Sequence, residues 1–171
     1  DFILSEKMPD GGFNCQSNGK GAVHSSMHTT ISVLEGFFEF LKNGYRYKAQ
    51  EIKNAMNSSI EFLLTHQLFK SDKTGQVIHP NFLKFCYPFR WYYDILRALD
   101  FFQNANVPFD HRMDAALDVL ISKKTNDGVW KLASPHPGQV HLNMEKAGQP
   151  SRWNTLRALR VLKKYHSDFY I

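Results

Sequence analysis

Asp10-Gly11-Gly12-Phe13 has the composition of a tight turn, and it returns near the other end of the chain as Asp127-Gly128-Val129-Trp130. Each copy closes an apolar, helix-like segment and precedes a loop leading to another helix, so the turn punctuates a repeated helical hairpin. The segment from Ile3 through Lys7 to Phe13 lies over the segment from Leu120 through Lys124 to Trp130. A third copy begins at Leu63, reaches Gln67 at the same offset, and departs through Lys70-Ser71-Asp72-Lys73-Thr74-Gly75. The starts are about 60 residues apart, a spacing that suits helix pairs joined by long loops. The expected class is all-α, with about three hairpins in one domain over residues 1–171, or forming the C-terminal part of a larger one.

Apolar periodicity places the helices between these turns. Residues 23, 27, 31, 34, 38 and 41 keep helical spacing from Val23 to Leu41, and Asn43-Gly44 ends the run. A second stripe runs from Tyr47 to Gln67 through Ile52, Ala55, Met56, Ile60, Leu63 and Leu64. The next helix is expected over Trp91–Asn104, with Ile95, Leu96, Leu99 and Phe102 on one face. Asp110 reads as the N-cap of another, buried through Met113, Ala116, Leu117 and Leu120. Residues 126–150 read as an extended loop, with no strand alternation long enough for a sheet. The last helix is expected from about Ser151 to Tyr165, buried through Trp153, Leu156, Leu159 and Leu162.

With 171 residues, 43% hydrophobic and 22% charged, the chain can bury one substantial core. No apolar run approaches the roughly 18 to 20 residues of a membrane span, and no basic-then-apolar leader opens the chain, so no membrane span is expected, while the cytoplasmic location expected here follows from the unpaired thiols. The chain opens at Asp1 inside what reads as a helix tail, which predicts an upstream part. Cys15 and Cys86 lie far apart and read as reduced thiols. The net charge of +5 is scattered among acids instead of forming a block, so nucleic acid is not an expected partner. Lys163-Lys164 fits a helix C-terminus, where the dipole favours cations.

An outer helix, a Gly-aromatic turn and an inner helix together resemble the α/α toroid of the squalene-hopene cyclases and protein prenyltransferase β-subunits. The cyclase turn carries a Gln and a Trp; here Gln67 keeps the Gln in the middle copy, Lys7 and Lys124 replace it in the others, and Trp130 keeps the Trp. The segments Gly11-Gly12-Phe13-Asn14-Cys15, Val23 through Thr30, and Pro150 through Leu159 look more closely like those of uncharacterised bacterial cyclase-like proteins. The resemblance implies an incomplete α/α toroid with a concave pocket at the N-terminal ends of its inner helices. It carries over no catalytic residue: the acidic Asp-x-Asp-Asp motif of the cyclases is absent, and the prenyltransferase zinc set has no counterpart.

His24 and His28 are four apart on an expected helix, hence on one face, and with a third ligand from His136, His141 or Glu145 would suit a metal. Two imidazoles without a fixed third ligand do not define a metal site, and the pair is read instead as bonding loop backbone at the pocket rim. Arg90-Trp91-Tyr92-Tyr93 and Arg152-Trp153-Asn154 open two expected inner helices, offering aromatic faces and guanidinium groups to an apolar chain and an anionic head. The competing reading is that these rings pack under the loops. The expected ligand-binding set is His24, His28, Arg90, Trp91, Tyr92, His141, Arg152, Trp153 and Asn154. Asp94 is the one acid near an inner-helix start, suited to general acid work or to complementing the helix dipole.

These residues assign no cofactor. They suit a toroid protein with a pocket for an isoprenoid or other apolar ligand. A non-catalytic binding or interaction module and a carbohydrate-acting toroid are the alternatives. Apolar residues at the termini, Phe2, Ile3, Phe169 and Ile171, add an expectation of self-association.

Overall fold

The computed structural model describes residues 1–17, 19, 21–134, 136 and 138–166. The chain divides into two compact units, Asp1–His66 and Gln67–Ile171. The expectation for Phe169 and Ile171 lies outside the described residues.

The first unit holds α1 (Phe2–Ser5), α2 (Met27–Lys42) and α3 (Ala49–Thr65). In the Asp10–Phe13 turn, Gly11 N–H donates to Met8 O and Met8 N–H to Gly12 O. Gly11 sits at φ 97, the left-handed region that a side chain disfavours. A Cβ there would also lie 2.7 Å from the Ser58 carbonyl oxygen of α3. The turn delivers Phe13 into the core, where it meets Phe37 edge-on at 6.0 Å beside Ile52 and Ala55. Its backbone N–H then donates to Thr30 Oγ1 on α2 at 3.0 Å, while its carbonyl accepts from Ser26 N–H. Ser26 caps α2 by accepting from Thr29 N–H, so the helix starts at Met27 and not at Val23, which is exposed.

The second unit repeats this chemistry. Its elements are α4 (Ile95–Asn104), α5 (Asp114–Ser122) and α6 (Arg152–Tyr165), with a two-residue ladder of β1 (Trp130–Lys131) and β2 (Pro150–Ser151) and 3-10 turns at Pro80–Leu83 and His111–Met113. Gly128 N–H donates to Thr125 O and Thr125 N–H to Val129 O, the same two bonds as in the first turn. Trp130 N–H donates to Thr155 Oγ1 at 3.0 Å, as Phe13 does to Thr30, and Ser151 caps α6 as Ser26 caps α2. The middle copy, after the left-handed pair Gln67 and Leu68, makes a turn one residue longer: Gly75 N–H to Ser71 O and Ser71 N–H to Gln76 O.

Two expectations change here. The 126–150 loop contains a short ladder because Trp130 pairs with Ser151, the counterpart of the Phe13–Ser26 contact drawn out over one more pair. The buried face of α6 is also rotated. Leu156 and Trp153 are exposed, Leu156 the more so, whereas Asn154, Arg157, Ala158 and Val161 face inward together with the expected Leu162. Thr155 and Ser151 hold the helix in this phase, and the polar members of the face find work inside. In α4 the apolar pattern holds: Ile95, Leu96, Leu99 and Phe102 are buried, and α4 packs on α6. Asp110 accepts from Arg112 N–H and caps the 3-10 turn that leads into α5.

Gly11→Ala is expected to cost roughly 1 to 3 kcal/mol, from left-handed strain and the contact with Ser58. Gly36→Ala, in open space on α2, is expected to gain up to about 1 kcal/mol from helix propensity. Urea unfolding of the two variants against wild type checks both signs.

Candidate functional site

The second unit gathers most of the expected site residues. Asp94 is the N-cap of α4, fully enclosed, with Oδ1 accepting from Arg97 N–H at 2.8 Å. Helix α4 therefore begins at Ile95, and Arg90, Trp91 and Tyr92 lie in the loop before it instead of on its first turn. Arg97 and Arg157, the two arginines of the Leu-Arg-Ala-Leu repeats, are both buried and both approach the Phe89 ring, their guanidinium carbons 4.3 and 5.1 Å from its centre. Arg97 Nη1 donates to Tyr92 O at 2.8 Å, and Arg157 Nε donates to Asp100 Oδ2 at 3.2 Å.

Burial pushes the Asp94 carboxyl up to about 6, against the opposing pull of Arg157 and of the Arg97 N–H and charge. The group therefore loses its proton about two pH units later than an ordinary carboxyl, and two cations stabilise the charged form. Cys86 beside it is pushed up to about 11, chiefly by burial and then by the Asp94 charge, and its Sγ–H donates to Ser134 O at 3.1 Å. Tyr93 is raised for the same two reasons and donates its hydroxyl to Leu68 O at 2.6 Å. Among the described residues, Asn154 Oδ1, Arg157 Nη1 and Glu145 Oε2 are buried without a hydrogen-bond partner.

Around this polar core the rings stack. Trp91 lies on Tyr92 at 3.9 Å and Tyr92 on His136 at 3.6 Å, whose imidazole burial holds below its ordinary pKa, helped by the Arg90 charge. Tyr87 stacks on Trp153 at 5.1 Å. Arg90 Nη2 reaches Gln139 O at 3.4 Å. Arg152 is exposed, and its N–H donates to Glu145 Oε1. Asn154 is interior: its Nδ2 donates to Phe85 O at 2.9 Å and Lys131 O at 3.3 Å, tying α6 to the loop before α4 and to β1. His141 is exposed in the loop that follows.

His24 and His28 belong to the first unit, and the helical face expected for them does not form. His24 precedes the Ser26 cap, and its carbonyl accepts from Asn14 Nδ2 at 2.7 Å, while His28 lies in the first turn of α2. Among the described residues no group of three His, Cys, Asp or Glu side chains is placed to hold a metal ion.

The first unit instead contains a cleft of about 540 Å³ between α1, α2 and α3, which the sequence reading did not place. Leu4, Val33, Phe37, Phe40 and Ile52 line its apolar wall, and Gly36 opens it because a Cβ there would meet nothing within 4 Å. Tyr47 and Lys48 stand at its edge with Asp1. Gly36 and Val33 on the α2 face toward α1 were the available signal.

No family model matches the chain, and comparison with curated proteins and with solved structures found no match. Among the described residues no helix is long and apolar enough to cross a membrane.

Asp94 sets a pH dependence of stability. Its folded value of about 6 stands above the ordinary aspartate value of 3.8, so the folded state holds the proton more tightly. The contribution is complete below about pH 4 and is lost as pH rises through 6, by roughly 3 kcal/mol at most. Asp94→Asn keeps an N-cap oxygen and cannot titrate. Its stability relative to wild type is expected to rise by that order between pH 4 and pH 7 in urea titrations; a constant difference would sink the assignment.

Proposed function

We propose that the chain is a helical-hairpin repeat protein of the α/α toroid type that binds an apolar small molecule, such as an isoprenoid, without acting on it. The observation that carries the reading is the cleft of the first unit. Its volume falls within the roughly 300 to 1,000 Å³ typical of small-molecule sites, and its wall is mostly aliphatic and aromatic. Burying an alkyl chain there releases about 0.8 kcal/mol per methylene, enough for micromolar affinity from a chain of modest length. The toroid reading draws support from the thrice-repeated turn and from the paired caps and threonines, Ser26 with Thr30 and Ser151 with Thr155.

The pocket of this reading is built by residues other than the expected rim. Trp91, Tyr92 and Trp153 are engaged in ring stacks in the second unit. The exposed faces of Trp91 and Trp153 support a second reading, in which a sugar ring stacks on them.

Calorimetric titration with farnesol tests the first reading. Gly36→Phe is expected to fill the cleft and weaken binding at least tenfold with the thermal midpoint held or raised. Farnesol binding that is absent, or indifferent to this substitution, rejects the reading. Weakening by Trp91→Ala or Trp153→Ala of a bound oligosaccharide would favour the second.

A further inference from the structure

The edge of the cleft is polar, and its polar groups already hold a carboxylate. Tyr47 Oη donates to the Asp1 side chain, 3.0 Å from Oδ2 and 3.1 Å from Oδ1. Lys48 Nζ lies 3.0 Å from Asp1 Oδ1 and 3.4 Å from Glu51 Oε2. Both donors belong to the residues that border the cleft, so the carboxylate sits where an apolar chain in the cleft would end. Lys48 is held in a left-handed conformation at φ 48 as the residue capping α3, a placement that few side chains adopt.

We propose that the cleft binds a single-chain amphiphile with a carboxylate head, the head taking the Tyr47 and Lys48 donors from Asp1. This rests on the reading of the cleft as an apolar-ligand site. A phenol reaching both oxygens and an ammonium reaching one match a planar, singly charged head. Asp1 is an easily displaced occupant. Its side chain is 65% exposed. Exposed ion pairs of this kind hold weakly. The incoming carboxylate gains the same donors together with the apolar wall, and Asp1 returns to water.

Dodecanoate and dodecanol share a chain and differ at the head, so calorimetric titration with each, below its aggregation concentration and at pH 8, separates the two ideas. Dodecanoate is expected to bind at least tenfold more tightly than dodecanol. Lys48→Met and Tyr47→Phe are expected to erase most of that difference while leaving dodecanol unchanged, and Asp1→Asn to tighten dodecanoate several-fold. Gly36→Phe should weaken both. All three rim positions are exposed enough for the variants to fold, which thermal melts verify. Equal binding of the two ligands, both lost in Gly36→Phe, overturns head recognition and leaves the apolar-ligand reading standing. Failure of both ligands to bind overturns both ideas. Dodecanoate binding that depends on Lys48 and ignores Gly36→Phe places the anion outside the cleft and overturns the proposal, as does a dimer in sedimentation that Gly36→Phe abolishes, since a second copy would then fill the space.

Discussion

A backbone N–H that follows a tight turn must find an acceptor once its aromatic side chain is buried, and in this protein the acceptor is a threonine one turn into the next helix. Phe13 donates to Thr30 and Trp130 to Thr155. The bond fixes three things together: where the turn ends, where the helix begins, and which face of that helix turns inward. The cost of leaving such a group unpaired in the interior, about 1 to 3 kcal/mol, is of the same order as the burial of a whole apolar side chain. The Ser caps, the buried rings and the helix phases follow from it, and so does the short ladder at Trp130–Ser151.

That dependence explains what the sequence reading captured. The turns were visible because Gly11 and Gly128 meet a steric requirement that only a few residue types satisfy. The α4 face was visible because it is buried through Ile95, Leu96, Leu99 and Phe102 at helical spacing. Helix starts were misplaced wherever a cap stood inside an apolar run. Val23 precedes Ser26 and Trp91 precedes Asp94, and periodicity cannot see that a side-chain oxygen has ended the helix. Pairing His24 with His28 failed for this reason.

The inward face of α6 was the larger miss. A hydrophobic count favours Trp153, Leu156 and Leu159, yet the interior takes Asn154 and Arg157. Asn154 supplies donors to two carbonyls of neighbouring segments, and Arg157 offers a cation to Asp100 and Phe89. Polar residues of this kind are enclosed when irregular loops bring backbone groups inward that no helix or sheet can pair. The matched four-residue strings around Arg97 and Arg157 were noticed as a repeat, but nothing in one dimension shows that both guanidinium groups close on a single ring. The cleft was missed for a different reason: it is a space between helices, and its clearest mark is the side chain that Gly36 does not have.

Cys86 is enclosed, bonded to Ser134 and held as a neutral thiol, whereas Cys15 is exposed. Alkylating reagents attack thiolates that they can reach. The native chain therefore presents a single chemical handle, in the loop between the first turn and α2. A dye placed there reports from the first unit without mutagenesis, and uptake of a second equivalent registers the opening of the interior around Asp94.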